Sequence, residues 1–185
     1  MIILIYDRLT KMINNSRLES VCTQLQDAYD TGTLTEIRRA ENTAYKIFLQ
    51  LARLQTSKLA FSSDEVRQYV VSDAVTRCMI AVKKFKLYLE NTFLGVTADN
   101  EIIGYSKKDK NVKVTYPLSA CYMKDYSRID SNNVDTLKDG DVILLKNNCF
   151  SFFSSTILNC CSTSIKTYKK CADVSLTAFD EGSNK

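Results

Sequence analysis

Apolar residues recur at three- and four-residue spacings through the first half of the chain, and that period predicts helices. Leu18, Val21, Cys22, Leu25 and Tyr29 form one stripe; Ile37, Ala40, Ala44, Ile47, Phe48, Leu51 and Leu54 form a second. Val75, Cys78, Met79, Val82, Phe85, Leu89 and Phe93 form a third. Each follows a serine or threonine with glutamate three residues on: Ser16 and Glu19, Thr33 and Glu36, Ser62 and Glu65. Such capping boxes satisfy two backbone N–H groups that a helix start leaves unpaired. Residues 1–13 read as a shorter first helix that stops at Asn14 and Asn15. Gly32 and Gly95 stand where helix ends favour a left-handed residue. Long helices with one apolar stripe each pack as an antiparallel bundle. Tyr45 and Leu49 widen the second stripe, which suits contact with a partner helix as well.

The pattern changes near residue 96. Residues 96–116 are polar, with Lys107, Lys108, Lys110 and Lys113, and read as a linker. Beyond Pro117 the period shortens to that of strands. Leu118 to Tyr126 is one candidate strand, Val142 to Leu145 after the Asp139-Gly140 turn a second, and Cys149 to Phe153 a third. A short helix at Thr156 to Cys161 and a strand at Ile165 to Tyr168 would close this domain. The expected fold is therefore α+β, an N-terminal antiparallel helical bundle (1–95) followed by a small β-rich domain (117–170). A lysine-rich linker (96–116) joins them, and a frayed tail (171–185) ends the chain.

Composition narrows the chemistry. The chain has 185 residues, 45% apolar and 25% charged, which is enough for a core without disulfides or metals. Histidine is absent, which excludes serine–histidine and cysteine–histidine catalytic pairs and every histidine metal site. There is no GxGxxG and no P-loop, so nucleotide phosphates have no glycine cradle. The seven cysteines are scattered, odd in number and without a CxxC, and read as reduced, mostly buried thiols. A redox pair at Cys160 and Cys161 would bridge only with strain. Asp135, Asp139 and Asp141 lack calcium-loop spacing and read as a solvated turn. No apolar run approaches the ~20 residues of a membrane span. The expectation is a non-catalytic protein of the nucleus or cytosol with neither cofactor nor metal.

Charge leaves two candidate surfaces. Net charge is +4. Lys107, Lys108, Lys110 and Lys113, flanked by Tyr105 and Tyr116, suit a DNA-contacting arm with stacking aromatics. Lys166 to Lys170 has the same character; a solvated linker and strand edge is the plainer reading of both. Arg38 and Arg39 point about 100° apart on a helix. At least one can therefore meet an acidic residue of a partner.

Ile37-Arg38-Arg39-Ala40-Glu41-Asn42-Thr43-Ala44-Tyr45, running on to Leu51-Ala52-Arg53-Leu54, resembles the central helix of GINS complex subunits. Cys121-Tyr122-Met123-Lys124-Asp125-Tyr126 and Asp139-Gly140-Asp141-Val142-Ile143-Leu144-Leu145-Lys146-Asn147 resemble the small β domain of GINS subunit 1. The resemblance spans residues 16 to 170. It departs from the family at Ser127, where a glycine usually follows Lys-Asp-Tyr, and in a long loop from Ser127 to Leu137. It implies a structural subunit of a heterotetramer that joins the MCM helicase and a RecJ-like partner, with contacts that can extend to a DNA polymerase. On that resemblance Arg38, Arg39, Tyr45, Phe48 and Leu51 serve assembly. Lys124, Asp125, Tyr126, Leu144 and Lys146 mark the docking face of the β domain. A nuclear location follows, or a cytoplasmic one in an archaeal or viral setting. Without the resemblance, two other readings stand: a nucleic-acid-binding adaptor using the basic linker, and a viral or parasite interaction module.

Overall fold

The computed structural model describes residues 13–57, 59–107 and 109–182, with backbone alone beyond Tyr168. The fold is α+β, with N-terminal helices followed by small antiparallel sheets. Helices α1 (Asn15–Thr31), α2 (Leu34–Thr56) and α3 (Asp64–Val82) come first. Strands β1 (Tyr88–Thr92), β2 (Gly95–Val96), β3 (Glu101–Tyr105), β4 (Lys113–Pro117), β5 (Cys121–Tyr122) and β6 (Val142–Lys146) follow. A long helix, α4 (Cys149–Gly182), comes last. The helix expected over residues 1–13 lies, save Ile13, outside the described residues.

Two compact units result, and they do not follow one another along the chain. The β unit is Lys86–Asn148, inserted between α3 and α4 of the helical unit. The boundary expected at residue 95 is thus corrected to 85, and the helical unit regains the chain at Cys149. Residues 96–116 are no linker, because they carry β3 and β4 in antiparallel register, Ile103 opposite Thr115. Cys149 to Phe153 and Ile165 to Tyr168 are not strands but parts of α4, whose backbone stays helical through the expected tail to Gly182. Of the Leu118 to Tyr126 strand only Cys121–Tyr122 pairs, after a 3₁₀ turn at Leu118–Ala120.

Local chemistry sets most helix starts. Thr33 and Glu36 form the full capping box, each side chain bonded to the other residue's backbone N–H. Asn14, not Ser16, caps α1 by accepting from the Arg17 N–H at 2.8 Å, and Ser63, not Ser62, caps α3. Two further ends are set from a distance by α1. Gln26 Nε2 donates to the carbonyls of Val82 (2.8 Å) and Phe85 (2.7 Å), satisfying orphan acceptors where α3 stops. The Asn15 side chain accepts from the Phe150 N–H at 3.0 Å, in the first turn of α4. The points where the chain leaves and rejoins the bundle are therefore both held by one helix.

The helical core takes residues of all three expected stripes, Leu18, Leu25, Phe48, Leu51 and Val75, and adds Val70 of α3 and Phe153 and Ile157 of α4, all buried. Phe153 packs its ring 4.7 Å from Phe48 and 5.5 Å from Phe85. Five thiols belong to this core: Cys22, Cys78, Cys149, Cys160 and Cys161. Cys22 and Cys149 hydrogen-bond each other, and that bond with burial raises the Cys22 pKa. Burial pushes Cys78 up to about 12 and Cys161 up to about 11, so these are inert thiols rather than nucleophiles.

One polar cluster joins α3 to α4. Asp73 Oδ2 accepts from Ser164 Oγ at 2.5 Å and from Cys160 Sγ at 3.1 Å, with Arg77 Nε at 3.4 Å. Burial opposes its ionisation, but the two hydrogen bonds and Arg77 outweigh it and lower the Asp73 pKa. A lowered carboxylate pKa stabilises the fold above the ordinary value near 4, and the gain is lost as pH falls below it. The Tm deficit of Asp73→Asn should therefore be steady between about pH 7 and pH 5 and shrink towards pH 3. A deficit as large at pH 3 as at pH 7 would show that Asp73 acts through shape alone.

The β unit holds two three-stranded sheets, ordered β1-β6-β5 and β2-β3-β4. Asn91 joins them. Its amide donates to the Tyr105 carbonyl (2.7 Å) and accepts from the Tyr105 N–H (2.9 Å), standing in for a peptide group in a ladder. Tyr116 Oη donates to the same carbonyl at 2.7 Å. Gly104 is required there, because a Cβ would lie 3.2 Å from Asn91 Oδ1 and from the Thr92 carbonyl oxygen. The core between the sheets is Phe93, Ile102, Cys121, Ile129, Val134, Ile143 and Leu145.

Candidate interaction surface

Strand parity sorts the first sheet into two faces. Leu89, Asn91, Ile143, Leu145 and Cys121 share the inner face. Tyr88 opposite Lys146, and Glu90 opposite Leu144 opposite Tyr122, share the outer one. An isolated bridge pairs Tyr122 with Arg128, which extends the outer row by one cation. The Tyr88 ring lies 5.2 Å from both the Tyr122 and Tyr126 rings, edge to face with each.

Tyr126 reaches this cluster from the turn after β5. The turn closes with Met123 N–H to the Ser127 carbonyl (2.8 Å) and Tyr126 N–H to the Met123 carbonyl (3.0 Å). Asp125 Oδ1 accepts from the Ser127 N–H (2.9 Å) and hydroxyl (2.6 Å), and those bonds lower the Asp125 pKa. The geometry forces Tyr126 to φ 67°, a conformation that a bulky side chain adopts only at a cost. Its side chain is nevertheless 62% exposed.

The residues expected to mark a docking face thus divide. Lys124, Asp125, Tyr126 and Lys146 lie about one tyrosine cluster, the first three exposed, whereas Leu144 is buried. The sequence reading missed Tyr88, Tyr122 and Arg128. Leu89, Asn91 and Phe93 stand at strand parity, but Phe85, Leu89 and Phe93 also fit a four-residue period that prolonged the third helix.

The expected assembly residues divide as well. Phe48 and Leu51 are fully buried within this chain's own bundle, so neither is open to a partner. Arg38, Arg39 and Tyr45 are exposed. Leu34, Arg38 and Tyr45 fall within about 40° of one another around α2, and Leu34 and Tyr45 are 75% and 48% exposed. Arg39 instead lines a groove against α1 with Gln24, Asp27 and Glu36.

Of the proposed DNA-contacting lysines, Lys108 lies outside the described residues. Lys107 and Lys110 line a cleft of about 420 Å³ beside β1, together with Leu89, Glu90, Asn91 and Val142. Lys113 begins β4 and is exposed. Lys166 is exposed on α4 rather than on a strand edge, and the side chains of Lys169 and Lys170 lie outside the described residues. The Asp139-Gly140 turn is closed by Asp141, whose carboxylate accepts from the Lys138 N–H at 2.8 Å. Among the described residues no three acidic or thiol side chains gather to hold a metal ion, and no helix is long and apolar enough to cross a membrane.

No protein-family model, curated protein or solved structure matches this chain.

Proposed function

We propose that this chain is a non-catalytic structural subunit of a GINS-type assembly, acting with an MCM helicase and a RecJ-like partner in DNA replication. The observation that carries the reading is the exposed stripe of Leu34, Arg38 and Tyr45 on α2. It lies on the helix whose sequence resembles the GINS central helix. Apolar groups this exposed, with an arginine between them, suit burial against another subunit. On this reading Arg38 and Tyr45 serve assembly, Phe48 and Leu51 stiffen the helix behind them, and the β unit reaches other components.

Native mass after co-expression with candidate GINS subunits of the same source tests this. A soluble 1:1:1:1 complex is expected, and the double variant Leu34→Ser/Tyr45→Ser should lose it while the isolated chain keeps its Tm. A chain that stays monomeric beside those subunits would refute the assignment.

A further inference from the structure

The outer face of the first sheet joins aromatic rings to cations in a way that assembly through α2 does not use. Tyr88, Tyr122 and Tyr126 form one cluster. Lys146 stands opposite Tyr88 in register, Arg128 opposite Tyr122 across the isolated bridge, and Lys124 is exposed in the turn that carries Tyr126. Two acidic groups lie nearby. Asp125 is tied to Ser127, and Glu90 is one register row further along β1. The cations of this face therefore gather at the Tyr88 end of β1.

We propose that this face binds single-stranded nucleic acid, with bases stacking on the tyrosines and phosphates held by Lys124, Arg128 and Lys146. Stacked bases need part-exposed rings beside cations, and this face offers both in Tyr126 beside Lys124 and Arg128. Here Leu144, the central aliphatic residue of the face, is buried. Sheet faces that display aromatics on neighbouring strands accommodate two or three bases, and a π-face accepts any base. The backbone of Tyr126 adds a second argument. Glycine would adopt φ 67° freely, yet this position holds an aromatic ring out into solvent. Strain retained under an exposed side chain points to work for that side chain.

The inference goes beyond the proposed function and is tested apart from it. Fluorescence anisotropy of the full chain with a labelled 12-nucleotide oligothymidylate, against a duplex of equal length, is the measurement. Preferential single-strand binding is expected, weakening steeply with salt. Tyr126→Gly should weaken it roughly 5- to 100-fold, the range for one lost stacking contact. Because glycine suits this backbone, the same variant should hold or raise the Tm, which separates lost binding from unfolding. Arg128→Ala should reduce the slope of log K against log salt by about 0.7, one phosphate contact on a single strand. Absence of binding, equal binding of duplex, or unchanged affinity in Tyr126→Gly would each overturn the proposal. So would Tyr126→Gly blocking capture of a replication protein by a chain that ignores the oligonucleotide, which would make the face a protein site. Subunit co-assembly in the same variant should be untouched, so failure here leaves the GINS-type reading standing.

Discussion

A chain cut after residue 95 should fail to fold, whereas a chain lacking only Leu87–Asn147 should keep its helical unit. The first cut removes α4, and with it the buried side chains of Phe153, Ile157, Cys160 and Cys161. Burial of a large apolar side chain contributes roughly 1.5–3 kcal/mol, and Phe48 and Phe85 would also lose their aromatic partner. That loss rivals the ~5–15 kcal/mol by which whole domains are stable. The excision removes the inserted unit and keeps helices α1 to α4. Its ends are close, since the Asn147 N–H donates to the Leu87 carbonyl at 2.7 Å and the Asn147 side chain to the Lys86 carbonyl at 3.3 Å. A Gly-Ser linker of about six residues can bridge them. Far-ultraviolet circular dichroism with thermal melting decides. A cooperative helical transition is expected for the excised chain and none for the truncated one. Equal melting of both would show that α4 is dispensable to the core.

Phe153→Ala should be the most damaging single core substitution in α4. The ring is fully buried and meets Phe48 at 4.7 Å, Phe152 at 5.0 Å and Phe85 at 5.5 Å. Truncating a buried phenylalanine costs about 3–5 kcal/mol from lost transfer energy and the cavity left behind. For a protein of this size that is a fall in Tm of roughly 6–20 °C. Leu158→Ala, five residues along the same helix but exposed, should change stability by about 0.5 kcal/mol or less. Similar losses for the two variants would place the α4 contact elsewhere than at Phe153.

Much of the helical unit was legible because its signals are local. A period of 3.6 located the stripes of α1 and α2 and the second half of that of α3, from Val75 to Val82, and the Thr33–Glu36 box formed where its spacing placed it, since both partners lie within one turn. The neighbouring boxes slipped because Asn14 and Ser63 compete for the same role as Ser16 and Ser62. Lys124, Asp125, Tyr126 and Lys146 were expected as a docking face on the resemblance; strand register sets Lys146 opposite Tyr88, and the turn after β5 carries the other three. No local signal could show that Leu144 is buried on that outer face or that Phe153 of α4 packs against Phe48.

Residue patterning along the chain was sufficient for the fold class, three helix faces, the Asp139-Gly140 turn with the strand after it, and the exclusion of histidine chemistry. It could not locate the breaks. Phe85, Leu89 and Phe93 satisfy a helical period and Leu89, Asn91 and Phe93 a strand period, so residues 85–93 are ambiguous by themselves. The helix stops at Val82 because Gln26, 56 residues earlier, takes up its terminal carbonyl. The apolar run from Cys149 becomes a helix rather than a strand where Asn15, 135 residues away from Phe150, caps its first turn and Phe48 and Phe85 receive Phe153. Patterns of three or four residues cannot encode a partner that distant, so the insertion of the β unit and the tyrosine face it presents were decided by tertiary packing.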